Sequence, residues 1–284
     1  MIETIVKSVF ALLVVGYAPI ASSDWRQPDP ANLLYMQLPG GEVILELAPG
    51  FAPKNVANIK TLTREKYFDG LAVIRSQDNY VVQWADPAEE EDDAKSLGSA
   101  AAKVPPEFQR LLDGIEISAI ESRDAYADIV GFVNGFPVGS DGKQVWLTHC
   151  YGMVGVARGN ALDSGNGSSL YVITGHAPRH LDRNITLVGR VISGIENLTT
   201  LSRGSGEMGF YETVEEATPI ISVRLGTEIA EADRTEVEIM HTDSAEFSDY
   251  VKSRTFRNEE WFVEPTGRIE ICNINPPTRT ADQE

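Results

Sequence analysis

From about Leu33 the chain breaks into short apolar runs separated by Gly, Pro and Asp-Gly, which is the punctuation of strands and turns. Leu34-Tyr35-Met36-Gln37-Leu38 and Glu42-Val43-Ile44-Leu45-Glu46-Leu47 flank Pro39-Gly40-Gly41 and predict a hairpin. The pattern then changes step. Val56, Ile59 and Leu62 recur every third residue after Pro53, a residue suited to a first helical position, so 52–62 predicts an amphipathic helix. Asp69-Gly70 turns the chain into two further strands, 71–75 and 80–84. Strand character returns at 145–149, 153–157, 170–174, 186–191 and 220–225, with a second helix near 195–201. Many short strands and two helices predict a mostly β fold: a closed antiparallel barrel capped by two helices.

Two stretches stand apart. Residues 88–145 open with the acids Glu89 to Asp93, pass through a short helix expected around 106–112, and end in Gly131-Phe132-Val133-Asn134-Gly135-Phe136-Pro137. They read as a long insertion on the barrel surface. The acidic run lacks the alternating ligand-and-glycine spacing of a calcium loop, so it reads as a solvated charge run. Residues 227–284 read as a small α+β extension packed on a barrel of residues 24–226. The extension has a strand at 236–240, a helix entered at Thr242-Asp243-Ser244 and continuing through Phe247 and Tyr250, and strands near Trp261 and Ile269.

The first residues change the compartment. Lys7, the apolar stretch 9–18, the interruption at Pro19 and the small residues Ala21-Ser22-Ser23 read as a signal peptide cleaved after Ser23. That places the mature protein in the periplasm or outside the cell, with no stable membrane insertion after cleavage. An uncleaved anchor or a buried amphipathic helix is the alternative. A formal net charge of -18 argues against phosphate backbones and anionic membranes as partners. The only cysteines, Cys150 and Cys272, can form one disulfide in an oxidising compartment, tying the extension to the core. Two buried thiols are the alternative.

The most informative segment runs Tyr67-Phe68-Asp69-Gly70-Leu71-Ala72-Val73-Ile74-Arg75 and on through Tyr80-Val81-Val82-Gln83-Trp84-Ala85-Asp86. Across such a hairpin Arg75 and Gln83 share a face beside Tyr80 and Val81. A polar pair beside an aromatic-aliphatic surface suits an apolar ring carried on a backbone amide. This segment resembles the cyclophilin family, whose members carry Phe-His-Arg-Val after a Tyr-(Asp/Lys)-Gly turn and then Phe-Met-x-Gln-Gly-Gly-Asp. Further blocks are similar to theirs: Gly152-Met153-Val154-Gly155-Val156-Ala157-Arg158, Asn166-Gly167-Ser168-Ser169-Leu170-Tyr171-Val172-Ile173-Thr174, and His180-Leu181-Asp182 followed by Val188-Gly189-Arg190-Val191. The resemblance spans about 34–225, with 88–145 unmatched.

The resemblance implies a cyclophilin-like barrel with peptidyl-prolyl cis-trans isomerase activity on proline-containing segments of exported or unfolded proteins, without a cofactor. It implies that Arg75 is catalytic and that Gln83 binds the substrate carbonyl. Tyr80, Val81, Tyr171 and Leu181 would line the proline pocket, and Ala157 and Arg158 would run along the peptide. Ser169 and His180 occupy substrate-contacting positions where the family has Gln and often Trp; Ile185 stands where it often has His, and Ala72-Val73 replaces Phe-His.

Other readings carry less of the sequence. A non-catalytic chaperone or peptide-binding module is motivated by the altered pocket and the additions. A lipocalin-like carrier would need a roomy barrel. His176 and His180 lie in a Gly- and Pro-containing loop with no completing metal ligand. Ser168, His180 and Asp182 lack a nucleophile elbow.

Overall fold

The computed structural model describes residues 24–88 and 92–280; the expected signal peptide and residues 89–91 of the acidic run lie outside the described residues. In chain order the elements are β1 (Trp25–Arg26), β2 (Leu33–Leu38), β3 (Gly41–Leu47), α1 (Pro53–Arg64), β4 (Ala72–Ser76) and β5 (Val81–Ala85). The insertion follows as β6 (Arg110–Leu111), β7 (Ser118–Ala119), β8 (Ile129–Val133), β9 (Phe136–Ser140) and β10 (Gln144–Leu147). Then come β11 (Met153–Val156), β12 (Leu170–Ile173), β13 (Leu187–Ser193), α2 (Glu196–Thr199), β14 (Thr218–Pro219) and β15 (Ser222–Leu225). The extension contributes β16 (Val237–Met240), α3 (Ala245–Phe256) and β17 (Thr278–Thr280).

The main sheet runs β14-β4-β5-β12-β11-β13-β3-β2-β15, with every neighbouring pair antiparallel. Its two edge strands are consecutive in the chain. Between them the Ile220 N–H donates to Leu71 O at 2.8 Å and the Ile221 N–H donates to Gln37 O at 2.9 Å. One bent segment therefore bonds to both ends of the curled sheet and closes the barrel, which leaves no long exposed edge. Alternate residues of each strand point inward: Met36, Leu45, Val82, Trp84, Val154 and Leu170 meet Ile59 and Leu62 of α1 and Leu198 of α2 in one core. The barrel is filled by side chains, which excludes the carrier reading. α2 is shorter than the 195–201 expected, but its Leu198 still plugs one end.

Part of the outer face of the barrel is also buried, and here the sequence reading needs correction. The insertion is a β-sheet of order β6-β10-β9-β8-β7 whose Phe132, Val138 and Leu147 pack on Met153, Tyr171 and Ile173 of the barrel in a second core. Residues 145–149 are not a barrel strand. β10 pairs with β9 across the short Asp141-Gly142 turn, a local partner reached at lower loop-closure entropy than any barrel edge. Nor is 106–112 helical. Within it only Arg110–Leu111 takes regular structure, as β6, which pairs with β10. The Glu107 carboxylate instead accepts from the Lys54 and Asn55 N–H groups at 3.0 and 2.9 Å, capping α1, whose own N-cap residue Ala52 has no side-chain acceptor.

In the extension, β16 lies between β1 and β17, and Ser244 caps α3 by accepting from the Phe247 N–H at 3.0 Å. The strands expected near Trp261 and Ile269 are absent from the described residues. Trp261 is 82% exposed in a turn, Ile271–Asn273 forms a short 3-10 turn, and the pairing strand is β17 instead. Polar sequence through Pro265-Thr266-Gly267 offers no apolar face to hold a strand there. Phe247, Ile271 and Ile274 join the second core, and Cys150 and Cys272 form a disulfide with Cα atoms 4.8 Å apart.

Candidate functional site

The β4–β5 pair is irregular at one place. Val73 faces Trp84, but the next pair is Arg75 with Gln83, so Ile74 is an extra residue, a β-bulge. A bulge re-aims the side chain that follows it. Here it brings Arg75 opposite Gln83 on the outer face. The same row continues across the sheet: Gln83 pairs with Tyr171, and Tyr171 with Gly155.

Arg75 is half-buried and held from three sides. Its Nη1 donates to Gln83 Oε1 at 3.2 Å, its Nε donates to the Met208 carbonyl at 2.8 Å, and its Nη2 donates to Gln77 Oε1. The rings of Tyr80 and Phe210 lie 5.7 and 5.1 Å from its Cζ. Gln83 in turn donates through Nε2 to Ser169 Oγ at 3.1 Å. Burial pulls the guanidinium below its ordinary pKa, with Tyr80 opposing, yet an arginine keeps its proton in proteins. The charge is thus partly stripped of water, which strengthens whatever it faces.

Met208 and Phe210 are partners that sequence reasoning missed. They sit on the loop 204–211, which runs beside β4: Gly204 N–H donates to Ser76 O at 3.0 Å and Tyr211 N–H to Ile74 O at 3.0 Å. Gly204, Gly206 and Gly209 were the available signal. Gly209 has φ +78°, and a Cβ there would stand 2.6 Å from Gln77 Cα, so only glycine allows this approach.

Of the residues expected to meet substrate, Tyr80 and Ser169 gather with Arg75 and Gln83. Ala157 is half-buried, its N–H bonded to Ser169 O at 3.0 Å, and Leu181 is half-buried beside exposed His180. Arg158 turns aside: its Nε and Nη2 donate to Asn184 O at 3.1 and 3.0 Å. Tyr171 and Val81 depart from the expectation of an open pocket. Tyr171 is 5% exposed and Val81 2%, both inside the second core, because the insertion covers this part of the barrel.

Tyr171 also has a partner that no motif announced. Its hydroxyl lies 3.1 Å from Nε2 of His149, a fully buried residue whose Nδ1 is 2.9 Å from Asp182 Oδ1. Asp182 therefore pairs with His149 rather than His180. A cavity of about 1020 Å³ lies elsewhere, between α3 and residues 114–121, and touches none of Arg75, Gln83, Tyr80 or Ser169.

The chain is similar to several known proteins. The family model "Cyclophilin type peptidyl-prolyl cis-trans isomerase/CLD" matches residues 33–225. A "Probable peptidyl-prolyl cis-trans isomerase" of Brucella suis biovar 1 (strain 1330) is 26% identical over 207 residues, covering 72% of this chain and 86% of the relative. Its counterpart in Brucella melitensis biotype 1 matches with the same identity and coverage. Among solved structures, cyclophilin AquaCyp293 from Hirschia baltica superposes with a TM-score of 0.70 at 25% identity, covering 90% of this chain and 93% of its own. That coverage exceeds the stretch matched by the family model, so the likeness of shape reaches beyond the barrel.

Proposed function

The chain belongs to the cyclophilin-type peptidyl-prolyl cis-trans isomerases, and on that premise we propose that Arg75 accelerates X-Pro rotation by hydrogen-bonding the twisted imide. Planarity is worth about 18–20 kcal/mol to a peptide bond, and twisting it removes the resonance. The two X-Pro end states differ little, so what the enzyme must supply is speed. Midway through rotation the prolyl nitrogen becomes pyramidal and regains a lone pair. A donor placed there binds the transition state better than either planar isomer, which is the condition for catalysis.

One observation carries the assignment. A guanidinium has five N–H donors, and among the described residues three of those on Arg75 are engaged, by Gln83, Gln77 and Met208. The fork is fixed in place with donors to spare. Gln83, anchored on Ser169, is the group we assign to the substrate carbonyl. Tyr80 and Phe210, whose rings flank Arg75, supply apolar surface for the ring. Proton transfer and covalent intermediates play no part.

We further propose that the substrates are exported chains. The leader-like residues 1–23 and the Cys150–Cys272 disulfide support an oxidising compartment. A protease-coupled assay on a proline-containing peptide tests the central reading: the parent chain accelerates isomerisation and Arg75→Ala does not. Equal rates in the two would remove Arg75 from the mechanism. Peptide binding without acceleration would favour the chaperone-like module instead.

A further inference from the structure

The phenol of Tyr171 stands at a fork on the outer face. Its strand neighbours are Gln83 on one side and Gly155 on the other. The ring lies over Gly155, so close that a Cβ there would collide with Tyr171 Cζ and Oη. The phenol is thereby held on the side away from half-buried Gln83. What holds the ring down comes from outside the barrel.

We propose that His149 is a positioning residue of the prolyl site, tying Tyr171 onto Gly155 and so keeping the phenol out of the place a prolyl ring needs. This rests on the reading that the Arg75–Gln83 face turns over X-Pro bonds. The direction of each bond follows from the geometry. Asp182 Oδ1 accepts from both the His149 backbone N–H at 2.8 Å and Nδ1–H at 2.9 Å, which leaves Nε2 bare. The bare nitrogen accepts from the Tyr171 hydroxyl at 3.1 Å. Burial raises the Tyr171 pKa, so the phenol remains a donor.

The chain of contacts continues into the insertion. Asp182 Oδ2 accepts from Arg179 Nε at 2.6 Å, and both terminal nitrogens of Arg179 donate to Asp124 at 2.8 and 2.9 Å. Every side chain in the series is buried. Asp124 lies in the insertion and His149 just beyond β10, so the insertion is built into the floor of the site rather than hung on the surface. Without its acceptor the hydroxyl is a buried unpaired donor. The ring then gains by leaving Gly155 to find another partner, and its cross-strand neighbour on the other side is Gln83. A ring that competes with substrate for space raises KM and leaves kcat nearly untouched.

The test measures kcat and KM for a proline-containing peptide in the parent, Arg75→Ala, His149→Phe, Tyr171→Phe and the double variant His149→Phe/Tyr171→Phe. His149→Phe is expected to raise KM at least about fivefold with kcat within about twofold. Once the hydroxyl is gone, the same substitution should move KM less than about twofold. His149→Gln, which retains an acceptor oxygen, should recover most of the loss. An equal rise in KM in both backgrounds, or a fall in kcat alone, overturns the proposal. Should His149→Phe fail to fold, Asp124→Asn is read in the same two backgrounds with the same two outcomes. A parent chain that does not accelerate isomerisation, or an Arg75→Ala variant that matches it, sinks the underlying reading. An active parent, an inactive Arg75→Ala and an unchanged His149→Phe sink only this one.

Discussion

Arg75 faces Gln83 across two strands, Nη1 to Oε1 at 3.2 Å, because one residue too many, Ile74, sits in β4. In a regular ladder Ile74 would take that place and Arg75 would turn the other way, since neighbouring side chains on a strand point to opposite faces. The bulge keeps Val73 in the barrel core while presenting the guanidinium outside it. A single backbone irregularity thereby separates the residues that hold the fold from those assigned to the chemistry.

Arg75→Lys tests whether charge alone suffices. A lysine keeps the positive charge but concentrates its donors at one point, so it cannot reach Gln83, Gln77 and Met208 together. Losing a fixed donor to a developing lone pair costs on the order of 10²-fold in rate. We expect kcat/KM in the protease-coupled assay to fall by that order, with circular dichroism unchanged. Full activity with lysine would mean that a diffuse positive field, not a placed hydrogen bond, does the work.

Arg75 and Gln83 were legible as a polar pair on one hairpin, but strict alternation from core-facing Val73 would turn Arg75 inward, and the bulge that brings it out leaves no mark in the sequence. Tyr171 was recognised but not its burial. Leu170-Tyr171-Val172-Ile173 is apolar throughout, and such a run does not reveal whether its outer face meets solvent or a second layer. His149 carried no signal at all, as its partner Asp182 lies 33 residues away and pairs only through the fold. The short helix expected around 106–112 falls on a segment whose acid, Glu107, serves the N-terminus of a different helix. These misreadings share a cause: tertiary partners supplied by the insertion overrode local pattern.

Stability should depend on pH through His149. Burial is the largest influence and lowers its pKa from the ordinary 6.5, against the pull of Asp182, while Arg179 and His180 add to the lowering. The Asp182 carboxylate already bonds Arg179, so the contact with His149 serves a neutral imidazole. The unfolded chain therefore takes up this proton before the folded one does. Stability from this site is fully present above about pH 6.5 and is lost as pH falls below it, at up to about 1.4 kcal/mol per pH unit. Melting temperatures measured from pH 7.5 down to 5 should fall more steeply for the parent than for His149→Phe. Parallel curves would show that His149 does not titrate between the two states.

Reduction of Cys150–Cys272 releases a loop spanning 122 positions. Closing so long a loop restricts the unfolded chain and stabilises a fold by about 2–5 kcal/mol. For a chain of this size that is about 5–15 °C in melting temperature. The paired Cys150→Ser/Cys272→Ser variant should show this drop, and a reductant should lower the parent to meet it. Cys150 adjoins His149, so KM measured well below the melting point should rise as the segment loosens. A melting point indifferent to reductant would show that the bridge adds nothing to the packing of the extension.

Gly209 offers a way to disturb Arg75 without touching it. Its φ of +78° is one that other residues adopt only with strain, and an added Cβ would lie 2.6 Å from Gln77 Cα and 2.8 Å from Gln77 Cβ. Gly209→Ala must therefore push the loop 204–211 away from β4. The Met208 carbonyl, one residue earlier, then withdraws from Arg75 Nε, and Gln77 shifts under its Nη2. The backbone strain costs about 1 kcal/mol, a small loss of stability for the whole protein. Misplacing a catalytic donor by about 1 Å is far more costly, on the order of 10- to 100-fold in kcat/KM. Gly50→Ala, where an added Cβ has nothing within 4 Å, is the control and should leave the rate unchanged. A Gly209→Ala variant as active as this control would show that the loop merely covers the arginine and does not aim it.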